Sequence, residues 1–255
     1  MPTDRSLKDG FAEHLADGVL KVTGTSPPVN LNVIAEHLGV SSVEITAMRE
    51  DGRTSWVDGA PVIELRADRS RERTRFTFAH ELAHVMVAKD RKTAVRRTLA
   101  LEHDEEETLC DWIAAALLMP HGWIRPYVER DVSLSLLRLI ASRAEVSLSA
   151  AAVRVAEVGK QLCMLLRWKR GQIRWVLVGQ AGVPAQLRGH YEISSPANDQ
   201  LDSMPSRRDL WRDTSLILDG KPISCRAQVD RQGSTCLMLI TSISGDNGVS
   251  RASVR

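Results

Sequence analysis

The chain has 255 residues, of which 43% are hydrophobic and 26% charged, and its formal net charge is +2 at pH 7. This length allows one large domain or roughly two to three small ones, and the nearly balanced charge does not indicate a dedicated surface for nucleic acid or membrane. The four cysteines are widely spaced without a Cys-x-x-Cys pair, the first residues lack the apolar core of a signal peptide, and the longest apolar run, 112–119, is too short to span a bilayer. We therefore expect a cytoplasmic protein with reduced thiols.

The first quarter of the chain predicts two helices followed by a small sheet. Residues 7–23 have the apolar spacing of one helix, and Asn30 can cap a second helix that ends at Gly39. Asp-Gly pairs at 51–52 and 58–59 are turn signals. They separate three predicted strands, which lie at 43–48, 53–57 and 61–65. We expect these strands to form an antiparallel sheet.

Residues 75–87 contain the pattern His-Glu-x-x-His within an otherwise apolar run. If this run is helical, His80 and His84 project from one face, one turn apart. Two imidazoles so placed can share one metal ion, and Zn²⁺ fits best because it takes nitrogen ligands in a tetrahedral shell. Glu81 follows the first histidine, where its carboxylate can take a proton from a water that the metal activates. The alternative is that the pattern matches by chance. The prediction of a metal site therefore needs a further metal ligand elsewhere in the sequence.

A helix with an acidic first turn is predicted downstream, at residues 104–119, and Pro120 marks its end. Glu107 and Asp111 are four residues apart and therefore share one face of it. A catalytic zinc ion held by two histidines needs a third protein ligand and an open fourth position, and Glu107 can supply that ligand. Asp111 can accept a hydrogen bond from the other ring nitrogen of a ligand histidine.

The acidic turn has other interpretations. Glu107 follows Asp104 by three residues, which is the spacing of a capping box, and Glu105 and Glu106 are equally close in sequence. Whether Glu106 rather than Glu107 binds the metal therefore stays open. Cys110 is a soft potential ligand on this helix or, alternatively, a buried structural thiol.

Two further helices are predicted at 134–143 and 148–158, with the apolar spacing of a helix-turn-helix. DNA recognition needs exposed base-reading and phosphate-binding side chains on the second helix. The sequence there offers mainly Ser149, Arg154 and Lys160. We therefore interpret this segment as packing or substrate-docking structure rather than as a DNA reader.

The pattern changes to strands after Cys163. Five are predicted, at 164–168, 173–178, 215–218, 223–229 and 235–240. Residues 181–212 form an irregular connection rich in Pro, Ser, Asp and Arg, and residues 243–255 form a loose tail. The C-terminal region is thus predicted to be a small β-rich domain, and it carries no motif that names a ligand.

Two motifs in this chain resemble those of a known family. They are Arg75-Phe-Thr-Phe-Ala-His-Glu-Leu-Ala-His84 and Glu107-x-x-Cys-Asp-x-Ile-Ala-Ala-x-Leu-Leu-Met-Pro120. The upstream segments 28–40 and 59–63 also fit the lead-in that is usual in that family. Over roughly residues 25–125, the chain resembles the ImmA/IrrE family of metallopeptidases, and the pair of motifs at this spacing is specific.

This resemblance implies a zincin-like domain of the gluzincin type, in which a small sheet borders the cleft. Carried over by position, it implies that His80, His84 and Glu107 are the Zn²⁺ ligands and that Glu81 is the general base. Ala83 stands where the family usually has glycine, a departure that a helix interior tolerates. The overall expectation is an α+β protein in three parts: residues 1–125 as a zinc metallopeptidase-like domain, 126–160 as a helix-turn-helix-like segment, and 161–255 as a β-rich, GAF-like domain.

The resemblance also implies a bacterial or phage regulator. Several family members cut a helix-turn-helix repressor of the Xre type and so induce genes in stress response or in mobile elements, while others accompany toxin–antitoxin systems. We therefore expect a zinc metalloendopeptidase with a repressor as its protein substrate and with no DNA or membrane partner. The alternative is a non-catalytic protein that contains zinc and acts in regulation, DNA binding or a toxin–antitoxin pair.

Overall fold

The computed structural model of the chain describes three helical and mixed stretches and five C-terminal strands. The described residues are 4–90, 103–129, 131–159, 164–169, 172–178, 211–218, 221–232 and 235–244. The predicted connection at 181–212 and the predicted tail at 243–255 lie almost entirely outside these residues.

Helices and strands follow one another along the chain much as their sequence patterns predict. The helices are α1 (Asp4–Thr23), α2 (Leu31–His37), α3 (Arg71–Asp90), α4 (His103–Leu118), α5 (His121–Val128), α6 (Leu134–Ala144) and α7 (Leu148–Gly159). The strands are β1 (Ser42–Thr46), β2 (Gly52–Val57), β3 (Ala60–Arg66), β4 (Met164–Lys169), β5 (Gln172–Val178), β6 (Trp211–Leu218), β7 (Lys221–Gln232) and β8 (Thr235–Ser244). The predicted α+β class is confirmed by this mixture.

Two compact units make up the chain. The first contains residues 1–124 and 141–147, and the second contains residues 125–140 and 148–255. The predicted boundaries after residues 125 and 160 stay predictions.

The sheet of the first unit is mixed rather than antiparallel, with the strand order β1-β3-β2. Strands β2 and β3 form the expected antiparallel hairpin, but β1 pairs with β3 in parallel. An all-antiparallel sheet would require β1 to pair with β2, the next strand in sequence. Because the chain reverses direction twice, β1 and β3 run the same way, and β1 lies on the far side of β3. Strand β2 is consequently an edge strand.

Helix α3 lies at the centre of the first unit. It packs on β2 and β3 on one side and on α4 on another, and α4 also packs on α1. Burial extends around most of the second half of α3, where Leu82, Ala83 and Val85 have no exposed surface. A helix that is apolar on nearly every side is expected in a domain interior, so its few polar residues are held among packed neighbours.

Gly122 and Pro126 are local signals for a break in the chain, yet α5 continues through Pro126. Backbone hydrogen bonds form on both sides of the proline, from Ile124 to the carbonyl of Pro120 and from Glu129 to that of Arg125. A proline removes its own N–H donor from the helix, and its ring crowds the carbonyl four residues earlier. Burial of Ile124 and Val128 therefore stabilises this short helix against the local signal.

The second unit contains a five-stranded sheet with the order β5-β4-β8-β7-β6, and all of its pairs are antiparallel. Helix α7 packs on β4 and β5. Two side chains of β7 contact α6: Gln228 accepts a 2.8 Å hydrogen bond from the backbone N–H of Leu134, and buried Asp230 forms an ion pair with Arg138.

None of the helices among the described residues has the length and apolar character needed to cross a membrane.

Candidate metal centre

The two histidines of the His-Glu-x-x-His pattern meet on one face of α3. The Nε2 atoms of His80 and His84 are 3.1 Å apart, and their rings are arranged edge to face at 74°. Both rings are largely buried, with 16% and 23% of their side-chain surface exposed. The helical spacing therefore converges two nitrogen donors on one point, as predicted.

Helix α4 brings a carboxylate to the same point. Glu107 Oε2 lies 3.3 Å from His80 Nε2, and Glu107 Oε1 lies 3.4 Å from His84 Nε2. Within the part of the chain that the structure describes, these three residues form a group that could hold one metal ion, with one ligand atom from each lying within 4.8 Å of the others. Two imidazole nitrogens and one carboxylate oxygen form a set of ligands that suits a divalent cation.

The other ring nitrogen of each histidine also has a partner on α4. Asp111 Oδ1 lies 2.9 Å from His80 Nδ1. Cys110 Sγ lies 3.4 Å from His84 Nδ1, whereas Glu106 Oε1 lies 3.9 Å away from that nitrogen. Burial lowers the pKa of His80, but the hydrogen bond to Asp111 and the surrounding carboxylates outweigh burial and raise it.

Glu81 is a buried carboxylate, with 6% of its surface exposed. The hydroxyl of Thr54 donates to its Oε2 at 2.7 Å, and the backbone carbonyl oxygen of Glu81 lies 3.2 Å from the same hydroxyl. Gly52 lies against the other side of this carboxylate, since a Cβ at that position would be 2.7 Å from Oε1. The first half of β2 therefore fixes the side chain of Glu81.

A cavity of about 650 Å³ opens beside these groups. Both histidines, Glu81, Glu106, Glu107 and Asp111 line it from the helices, and Thr54 and Trp56 line it from β2. At its rim, Asp51 accepts hydrogen bonds of 2.7 Å from Arg69 and from Arg73. Burial raises the pKa of Asp51, but these two arginines outweigh burial and lower it.

Comparison with known proteins identifies the region that carries this site. Residues 35–156 match the Peptidase_M78 family, described as the IrrE N-terminal-like domain. The match covers slightly less than half of the chain. The resemblance inferred from the two motifs is therefore confirmed.

A curated relative of the family aligns over 129 residues at 35% identity, and it is the radiation response metalloprotease IrrE of Deinococcus radiodurans. The aligned region is 47% of this chain but only 38% of the length of that relative. Among solved structures, a Mycobacterium tuberculosis transcriptional regulator is similar in fold, with a TM-score of 0.55 and 15% identity over 91% of this chain and 76% of that one.

Some contacts of the site could not be read from the two family motifs. Thr54 and Gly52 contact Glu81 from a strand 27 or more residues away, and the contact between Cys110 and His84 spans 26 residues. The sequence held one signal for the first contact: a glycine inside a strand often marks a close backbone approach, although Gly52 was interpreted only as part of a turn.

Proposed function

We propose that this chain is a zinc-dependent endopeptidase that cuts one specific protein. His80, His84 and Glu107 are the proposed zinc ligands. One observation carries the proposal: the Nε2 atoms of the two histidines are 3.1 Å apart, and the two carboxylate oxygens of Glu107 lie 3.3 Å from His80 Nε2 and 3.4 Å from His84 Nε2. Donors about 2.0–2.1 Å from a tetrahedral zinc ion lie about 3.3–3.4 Å from one another. The spacing of the three side chains thus supports zinc as the cation.

The residues around the ligands fit hydrolysis of a peptide bond. When bound, zinc supplies Lewis acidity at the scissile carbonyl and makes a water acidic. In the proposal, Glu81 takes a proton from the attacking water and passes it to the leaving amine. Thr54 holds the carboxylate of Glu81 in place, and Asp111 holds His80 through Nδ1 so that Nε2 stays free for the metal.

We place the peptide substrate in the cavity beside β2. Among the described residues this strand pairs only with β3, so its outer edge can pair with an extended peptide. Trp56, which is 48% exposed, lines the cavity from this strand. It would contact an apolar side chain of the substrate.

The proposed substrate is a helix-turn-helix repressor of the Xre type, whose cleavage in the cytoplasm would induce genes. This choice follows from the family, and the radiation response of the D. radiodurans relative is consistent with a role in stress. DNA binding by the chain itself is the less favoured alternative, because Arg154 of α7 is only 5% exposed and cannot reach a DNA groove without rearrangement.

The proposed fold description is a zincin-like domain of the gluzincin type, since α3 supplies two histidines and α4 supplies a glutamate. The GAF-like description of the C-terminal sheet also stays a proposal, which rests on the antiparallel strands β4–β8.

The test combines metal analysis with a cleavage assay. The zinc content of purified wild type and His80→Ala is measured, and a helix-turn-helix repressor of the Xre type is incubated with wild type and Glu81→Gln. We expect about one zinc per chain in wild type and in Glu81→Gln, loss of zinc in His80→Ala, and cleavage by the wild type alone.

Glu72→Gln is the matched control, because Glu72 is an exposed glutamate in the first turn of the same helix. It should retain both zinc and cleavage. Cleavage that persists in Glu81→Gln would refute the proposed mechanism. Zinc binding without cleavage, together with a DNA shift by the wild type, would instead support the non-catalytic alternative.

A further inference from the structure

Helix α4 presents two rows of side chains to the histidines of α3. Glu107 and Asp111 are four residues apart and form one row, which contacts His80 at both of its nitrogens. Glu106 and Cys110 are also four residues apart and form the adjacent row, which lies against Nδ1 of His84. Residues at this spacing lie above one another on a helix. Glu107 contacts Nε2 of both histidines, but each row supplies the Nδ1 partner of a different imidazole.

The partner of His84 Nδ1 is the sulfur rather than the carboxylate. Glu106 Oε1 is 3.9 Å from that nitrogen, which exceeds the range of about 2.7–3.2 Å for N–H···O bonds. Cys110 Sγ is 3.4 Å away, a distance suited to the larger sulfur atom. The thiol has no exposed surface, so water does not compete for this contact.

The ring of His84 has its nitrogens in two different environments. Nε2 points toward the carboxylate of Glu107 and toward His80, where a metal would need a free lone pair. A neutral imidazole carries one proton. That proton must therefore lie on Nδ1 for the ring to serve as a ligand, and Nδ1 faces the sulfur.

We propose that Cys110 is a positioning residue of the metal site: its sulfur accepts a hydrogen bond from Nδ1–H of His84 and so selects the tautomer that leaves Nε2 free for the metal. This inference rests on the proposed metal site. The Cys110 thiol would then support His84 as Asp111 supports His80. The two histidines differ in the acceptor at Nδ1, which is a sulfur for His84 and a carboxylate for His80. Sulfur is a weak acceptor, so His84 is held less firmly than His80.

Zinc affinity of the full chain provides the first test. The dissociation constant is measured by competition with a chromophoric chelator for wild type, Cys110→Ala and Cys110→Ser. We expect Cys110→Ala to weaken binding by about 10-fold, the lower end of the range for residues that support metal ligands. Cys110→Ser should stay close to wild type, because its hydroxyl oxygen can still accept the hydrogen bond from Nδ1–H. A role in packing alone would leave serine no better than alanine.

Two matched variants separate this role from its alternatives. Ile113→Val removes a similar volume from a fully buried position of the same helix, and it should leave zinc affinity unchanged. Glu106→Gln should weaken binding less than Cys110→Ala does. If Glu106→Gln weakens binding as much as Cys110→Ala is expected to, and Cys110→Ala does not, the carboxylate is the partner and the proposal is wrong.

The tautomer of His84 is a second readout, which a packing role would not change. Long-range ¹H–¹⁵N correlation spectra of the metal-free chain, recorded where the ring is neutral, distinguish a proton on Nδ1 from one on Nε2. We expect the Nδ1–H form to dominate in wild type and in Cys110→Ser, and the Nε2–H form to increase in Cys110→Ala. An unchanged tautomer ratio would overturn the inference.

Failure of this inference can be told apart from failure of the proposed function. If wild type binds no zinc, the proposed metal site is wrong. If wild type binds zinc and His80→Ala does not, while Cys110→Ala matches the wild type in affinity and tautomer, then only the role of Cys110 is wrong.

Discussion

Gly52 is the position where a single methyl group should most clearly test the packing around Glu81. In Gly52→Ala the new Cβ would lie 2.5 Å from Thr77 Cγ2, 2.7 Å from Glu81 Oε1 and 3.0 Å from Glu81 Cγ. Two of these distances are shorter than any ordinary contact between heavy atoms. Because Thr77 and Glu81 are both buried, neither can move aside without disturbing its neighbours.

Two opposing effects determine how much Gly52→Ala lowers the free energy of unfolding. Overpacking in a buried site costs about 1–3 kcal/mol, while alanine loses less backbone entropy than glycine by about 0.5–1 kcal/mol. Overpacking should dominate, with a net loss of about 1–2 kcal/mol. For a chain of this size the melting temperature should fall by about 2–8 °C, as measured by circular dichroism on the full chain.

Two further variants make the experiment decisive. Gly18→Ala, in an exposed part of α1 where nothing lies within 4 Å of the new Cβ, should raise the melting temperature because alanine favours a helix by about 1 kcal/mol. Thr77→Ser removes the closest clash and should recover part of the loss in the Gly52→Ala background, with a coupling energy of about 0.5–3 kcal/mol. A Gly52→Ala protein as stable as wild type would refute the close-packing explanation.

Four other predictions concern the ligands and the rim of the cavity. Asp111→Ala should weaken zinc binding by about 10–100-fold in chelator competition, and unchanged affinity would show that His80 does not depend on this carboxylate. Zinc at 100 times its dissociation constant should stabilise wild type by about 2.7 kcal/mol, seen as a melting-temperature shift that a chelator reverses; a similar shift in His80→Ala would contradict the assigned site. Thr54→Val should lower kcat for the proposed substrate by about 10–100-fold with KM unchanged, because the hydroxyl hydrogen-bonds to Glu81, and Thr54→Ser should restore it; a change in KM alone would argue against this role. The pKa of Asp51 is lower in the folded chain than in the unfolded chain. Its ion pairs therefore contribute stability above the unfolded pKa, and this contribution is lost as the pH falls through the folded pKa. Asp51→Asn should reduce the acid-induced loss of stability in urea titrations, and an identical pH dependence would disprove the assignment.

Local patterns in the sequence predicted most elements, because each depends on short-range signals. The His-Glu-x-x-His spacing and the acidic turn of α4 predicted which side chains share a helix face, and helical geometry then placed them within a few ångströms. The signal at Asp104 was an exception. A capping box with Glu107 needs Asp104 immediately before the helix, but Asp104 lies within the first turn of α4, which weakens that interpretation of Glu107.

Contacts between distant segments were beyond these patterns. The parallel pairing of β1 with β3 depends on whether β1 joins the β2 edge or the β3 edge of the hairpin. No pattern in the strand sequences predicts that choice. The hydrogen bond from Thr54 to Glu81 and the contact of Cys110 with His84 arise only when β2, α3 and α4 pack together. Threonine is common in strands, so Thr54 carried no signal of its own. Cys110 was considered as a metal ligand or a buried thiol, but not as a partner of His84.

The two rows on α4 also restrict how related sequences can change in length. An α-helix turns by about 100° per residue, so one residue inserted between Glu107 and Cys110 would turn Cys110 and Asp111 away from the histidines while Glu107 stayed in place. Alignments of relatives should therefore contain no gap within this interval. A sequence that keeps both histidines but shifts the acidic interval by one residue is expected to have lost the support of its metal ligands.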